Sequence, residues 1–175
     1  MSMSLLVSQT ATPTSALERL LTELASLVGG LPPHVYGDRF AAPHSGSIGE
    51  HVRHCLDHVS TLLMADGMEA LSYDHRERGT GVETEPEAAV HRIRHLQHVI
   101  ETWAVRSLDE PICVTSMLSS EGEPVAGWST LARELAFVVS HTIHHQAMIG
   151  LLLATRGYAV PDRFGLAPST PACAR

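Results

Sequence analysis

Apolar residues recur along this chain at spacings of three and four, the period of one helix face, in four separate stretches. The first carries Leu17, Leu20, Leu21, Leu24 and Leu27. Thr14 or Ser15 can cap it, and Gly29-Gly30 followed by Pro32-Pro33 ends it. The second carries Ile48, Val52, Cys55, Val59 and Leu62 behind Ser47-x-x-Glu50, which reads as a capping box. Pro86 opens the third at its first turn, and Ala89, Ile93, Leu96, Ile100 and Trp103 form its stripe. The fourth, capped by Ser129, runs to about Thr155 and stops before Gly157.

Between these stretches the pattern breaks. Tyr73 to Glu85 is polar and contains glycine, and it reads as a long loop. Pro111 to Met117 is rich in β-branched residues and precedes Gly122 and Pro124, which predicts a short hairpin before the last helix. The tail from Pro161 is too apolar around Phe164 to be mere linker, and is expected to lie across the helices. Four amphipathic helices in 175 residues predict one all-α domain over 1–175, a four-helix bundle. The first two connections are long enough for crossovers, so simple up-down order does not follow.

Charge and cysteine content narrow the function. The formal charge is −7, and the twelve basic residues are all arginine with no basic run. That balance gives no electrostatic case for nucleic acid or an anionic membrane. The start of the chain lacks the basic region and apolar core of a signal peptide, and the apolar run near Met148 is short for a membrane span, so a cytoplasmic protein is expected. Cys55, Cys113 and Cys173 have no CxxC spacing, which argues against a thiolate zinc site.

Twelve histidines are the anomaly, and their direction matters more than their spacing. His91, His95 and His98 fall roughly 140–160° from Ile93, on the polar side of the third helix, where a solvated or subunit-contact face is the simpler reading. His141 and His145 lie within ~40° of each other, in the middle of the apolar face of the fourth helix. Two unpartnered imidazoles there would each cost free energy, whereas one metal ion satisfies both. A histidine from a facing helix would complete a three-nitrogen site. In the second helix, wheel arithmetic puts His51 and His58 nearest the apolar arc and His54 further from it. There is no Glu-x-x-His of the di-iron carboxylate bundles and no His-Glu-x-x-His of the zincins.

Ser47-Ile48-Gly49-Glu50-His51-Val52-Arg53-His54-x-x-Asp57 resembles the second-helix motif of the DinB/YfiT-like proteins, and His141-x-x-x-His145 resembles their fourth-helix pair. The resemblance runs from about Leu17 to Gly157. It implies a bundle whose middle helices run in the same direction (up-down-down-up), often as a homodimer. It also implies one divalent metal (zinc, nickel or iron) on His54, His141 and His145, whereas the wheel keeps His58 or His51 as alternatives to His54. Characterised relatives further imply S-transfer from a low-molecular-weight thiol to a small-molecule substrate. Arg76 and Arg78 then become candidates to pair with a carboxylate of the thiol, and Glu134, two turns from His141, a candidate base. Tyr73-Asp74-x-Arg76-x-Arg78 and the segment from Phe164 look like features of an uncharacterised branch. A non-catalytic metal-binding or stress-response protein, and a metal-dependent hydrolase, remain alternatives.

Overall fold

The structure, a computed structural model, describes residues 12–41, 46–65, 69–74, 77–103 and 106–171. It is mostly helical, with six helices and a small three-stranded sheet among the described residues. Four helices are long: α1 (Pro13–Gly29), α3 (Ile48–Leu63), α5 (Pro86–Trp103) and α6 (Leu131–Thr155). Two are single turns, α2 (Pro33–Gly37) and α4 (Gly81–Thr84). Strand β1 (Leu71–Ser72) pairs in parallel with β2 (Pro111–Ser116), which pairs antiparallel with β3 (Val125–Thr130).

The long helices begin where sequence chemistry allows, with two shifts from expectation. Ser47 accepts from the Glu50 amide while Glu50 reaches back to the Ser47 amide, so the expected capping box forms. The cap of α1 is Thr12, not Thr14 or Ser15. Thr12 accepts from the Ser15 amide, and Ser15 serves as the third helical residue of a reciprocal box with Pro13 at N1. Thr130, not Ser129, caps α6: its hydroxyl accepts from the Arg133 amide, while the Ser129 hydroxyl is turned to Glu134. The expected hairpin is present as β2–β3. The Tyr73–Glu85 stretch, expected as loop throughout, contains the single turn α4, and β1 and α2 were also absent from the periodic pattern.

Helix α1 packs against α5 and α6, and α3 packs against the same two. The expected stripes of α1, α3 and α5 form the core, including Leu17, Leu21, Leu24, Val52, Val59, Ile93 and Ile100, and α6 adds Leu135 and Val138. The tail closes one side: Phe164 is buried, and Gly165, at φ +73, lies so near Ala147 that an added Cβ would sit 2.3 Å from its backbone nitrogen. Burying the apolar body of such side chains contributes roughly 1.5–3 kcal/mol each.

By length and composition α6 is apolar enough to cross a membrane, and 44% of its most apolar window is buried inside the fold. Its inner side also carries polar groups that the fold satisfies. The Thr142 hydroxyl donates to the Val138 carbonyl at 2.8 Å, and the Gln146 amide donates across to the Leu20 carbonyl of α1 at 2.9 Å.

Candidate metal centre

Helices α3 and α6 lie side by side, and their histidines meet along the seam between them. His51, His54 and His58 come from three successive turns of α3, and His141 and His145 from two turns of α6. The His54 and His141 Nε2 atoms are 3.1 Å apart. One ligand nitrogen from each of His54, His58 and His141 falls within 4.8 Å of the others. The His145 ring centroid lies 4.7 Å from that of His54 and 4.6 Å from that of His141. The His51 Nδ1 stands 3.0 Å from the His145 Nδ1. His144 is exposed at the rim, its centroid 5.2 Å from His145.

The structure therefore brings together His54, His141 and His145, and it adds His58 and His51. His58 is the most buried of the five, as its position on the helical wheel suggests. His91, His95 and His98 are exposed on α5. Arg78 is exposed in the segment before α4, and Arg76 lies outside the described residues.

Hydrogen bonds set the ring tautomers where a partner has only one role. The His58 Nδ1 is 3.0 Å from the His54 carbonyl oxygen. A carbonyl only accepts, so His58 carries its hydrogen on Nδ1 and its lone pair on Nε2. Nitrogens bound to one zinc ion at ~2.0–2.1 Å stand roughly 2.9–3.4 Å apart for angles between 90° and tetrahedral. The His54–His141 separation falls inside that range, so this pair of imidazoles could hold a divalent ion, with a His58 nitrogen within 4.8 Å of both.

Electrostatics agree with a neutral ring at His145. Burial, followed by the proximity of His141, His51, His144 and His58, pushes the His145 pKa down to about 3. Cys55 faces away from such chemistry: burial pushes its thiol up to about 12, well out of the range of an accessible thiolate.

Two aromatic rings wall the histidines from the hairpin side. Tyr73 stacks on His58, with centroids 5.0 Å apart and planes 6° apart, and Phe137 stacks on His141 at 5.6 Å. Tyr73 donates its hydroxyl to the Glu134 Oε2 at 3.0 Å, and Ser129 donates to Oε1 at 2.6 Å. The Arg133 guanidinium is 3.5 Å from the same carboxylate. Glu134 is thus a buried, fully engaged acceptor. Burial and the Glu134 charge raise the Tyr73 pKa above its ordinary value, so the phenol keeps its proton. Sequence pattern named Glu134, but it carried no signal for its partners: Tyr73 comes from a distant segment, and Ser129 from the end of β3.

Asp57 of the second-helix motif turns away from the histidines. It accepts from Arg53 at 2.8 Å, and the same guanidinium donates to Glu83 at 2.9 Å.

A sequence model of the DinB superfamily matches residues 16–149. The chain is also 38% identical over 101 residues to a protein named FK506-binding protein 5 from Rhizopus delemar (strain RA 99-880 / ATCC MYA-4621 / FGSC 9543 / NRRL 43880). That match covers 57% of this chain and 26% of the relative, so the chain spans about a quarter of the relative's length. No solved structure matches the chain significantly.

Proposed function

Because the chain belongs to the DinB superfamily, we propose that its convergent histidines hold one divalent metal ion (zinc, nickel or iron) and that the protein is a metal-dependent thiol S-transferase. The observation that carries the reading is the 3.1 Å approach of the His54 and His141 Nε2 atoms across the α3–α6 seam. In this reading His54 and His141 are the ligands common to every arrangement. His145 supplies the third nitrogen, as the family resemblance implies, and His58 is the alternative. We take the four long helices as a four-helix bundle within one domain, acting in the cytoplasm as a homodimer on small molecules.

A divalent ion at such a site would hold a low-molecular-weight thiol as its thiolate near neutral pH. Three imidazoles leave at least one coordination position for that sulfur. The reaction forms a bond from sulfur to an electrophilic carbon while the leaving group departs with the bonding pair, and the thiol proton passes to water. The chain's own part is positional. The His54 carbonyl fixes the His58 tautomer, and Tyr73 and Phe137 shield the imidazoles on the hairpin side. Arg78, with Arg76, is proposed to meet a carboxylate of the thiol. The engagement of Glu134 by two hydroxyls and Arg133 disfavours it as a base for water, which weakens the hydrolase alternative.

A second reading, a non-catalytic metal-binding or stress-response protein, draws support from the same aromatic wall, since rings stacked on His58 and His141 restrict approach from that side.

Elemental analysis of untagged protein tests the shared premise. About one equivalent of metal per chain, lost in both His54→Ala and His141→Ala, is the expected result. No metal after reconstitution would overturn both readings. Loss in His145→Ala or in His58→Ala identifies the third ligand. Turnover of a thiol with an electrophile by the metal-loaded protein separates the transferase from the binder.

A further inference from the structure

A cleft of about 400 Å³ opens between the β2–β3 hairpin and the first turns of α6. That volume is in the range of small-molecule sites, about 300–1,000 Å³. Tyr73 and Phe137 contribute to its lining, and these are the two rings that stack on His58 and His141. The cleft is therefore separated from the histidine cluster by one layer of aromatic side chains.

Its outer wall is apolar and unusually bare. Trp128 is 79% exposed, Leu118 75% and Val125 53%. Large apolar side chains gathered at one concavity mark a place where something binds, whereas single ones scattered over a surface do not. The charges at the inner end offset each other: Arg133 sits 3.5 Å from Glu134, with its guanidinium over the Phe137 ring. Such a lining favours an uncharged ligand, because its charges already offset each other and the rest of its wall is mainly apolar. Flat rings favour a flat ligand, through offset or edge-on contact with Trp128 and Tyr73.

Gly127 keeps the middle of β3 open. It pairs with Val114, lines the cleft, and a Cβ added there would meet nothing within 4 Å. A side chain could be added at this cleft-lining position without colliding with the strand.

We propose that this cleft binds an uncharged, flat aromatic molecule and serves as the recognition site for the electrophile. The assignment of the ligand as the electrophile rests on the S-transfer reading above, while the binding itself does not.

The probe is 2,4-dinitrotoluene, a neutral flat aromatic that quenches indole fluorescence. Trp103→Phe protein leaves Trp128 as the sole tryptophan reporter. The expected result is saturable quenching, with Kd raised at least tenfold by Gly127→Leu, while His95→Ala, at an exposed position of α5, binds the probe as the parent does. Calorimetry on Trp128→Ala gives the same comparison without the reporter, and thermal melts confirm that both variants fold. Linear, unsaturable quenching, or equal affinity in Gly127→Leu, would overturn the proposal. So would a dimer that shields Trp128 from the probe and is split by Gly127→Leu, because the cleft would then be a contact between copies. Saturable binding by a protein that takes up no metal would sink the metal reading and leave the cleft standing.

Discussion

His51 and His145 face each other across the α3–α6 seam, Nδ1 to Nδ1, at 3.0 Å. Only one hydrogen fits between two nitrogens at that distance, so one ring donates and the other accepts. With His145 as donor, its lone pair falls on Nε2. That is how partners of metal-binding histidines usually act: they fix the tautomer and aim the ring. His51 is then a positioning residue for His145. His51→Ala is expected to weaken zinc affinity about 10–100-fold, measured by competition with a chelator, while exposed His95→Ala leaves it unchanged. Unchanged affinity in His51→Ala would remove His145 from the ligand set and favour His58.

Arg53 is nearly buried between Asp57 and Glu83, within a helix that also carries the three α3 histidines. Its hydrogen bonds to the two carboxylates outweigh the burial penalty and hold its pKa above the ordinary arginine value. The pair to Glu83 also ties α3 to α4. Removing one partner of a buried ion pair costs roughly 3–5 kcal/mol. Asp57 retains a quarter of its side-chain exposure, so solvent screening discounts that figure. Arg53→Met is expected to destabilise by about 2–4 kcal/mol in urea unfolding, with metal stoichiometry unchanged. A loss below ~0.5 kcal/mol would show that the pair is worth no more than a surface bridge.

Much of this is legible in the sequence. The Ser47–Glu50 box, Pro86 at a helix start and the β-branched run at Pro111 each carry a local cause, and each element formed where its cause lies. The wheel was less informative for the second-helix histidines. It takes the centre of the apolar arc as the inward direction. The seam with α6 runs along the border of that arc, so His51, His54 and His58 all reach His141 or His145 from there. A border stripe looks half-solvated in one helix and becomes interior only when the partner helix is placed. The single turns α2 and α4 were invisible because four or five residues show no period; they are held by distant contacts such as the Tyr36 hydroxyl donating to the Val82 carbonyl at 2.6 Å. Ser129 reads as a cap by residue type alone. Only its pairing with Ile112 reveals that the strand extends through it.

Gly49 permits α3 to press against the segment carrying α4. An added Cβ there would sit 1.9 Å from the Glu83 carbonyl oxygen and 2.8 Å from Tyr36 Cε1. Backbone cannot swing aside as a flexible side chain can, so the helix itself would have to move. Over-packing of this kind costs roughly 1–3 kcal/mol and sometimes more. Gly49→Ala is expected to lower the melting temperature by about 2–12 °C, at roughly 2–4 °C per kcal/mol for a chain of this size. Gly79→Ala is a poor control because Gly79 has φ +73, whereas Gly127→Ala meets open space. A Gly49→Ala melt matching that of Gly127→Ala would mean the two segments are not packed as described.

Acid should unfold the metal-free protein through its crowded imidazoles. His145 is held down to about 3 by burial first and by neighbouring histidines second, whereas an unfolded histidine titrates near ~6.5. Between those values the unfolded chain binds a proton at this position that the folded chain does not. Stability therefore rises with pH across the window. The contribution is fully present above ~6.5 and is progressively lost as pH falls toward 3. Melting temperature measured in chelator from pH 7 to pH 4 is expected to fall, and His145→Gln should flatten the slope by about the share of one proton. Zinc should steepen the dependence, because protons then compete with the ion for the same nitrogens. A chelated protein whose stability is level from pH 7 to pH 4 would mean that the imidazoles take up protons without disturbing the seam, and that the cluster is wetter than the geometry indicates.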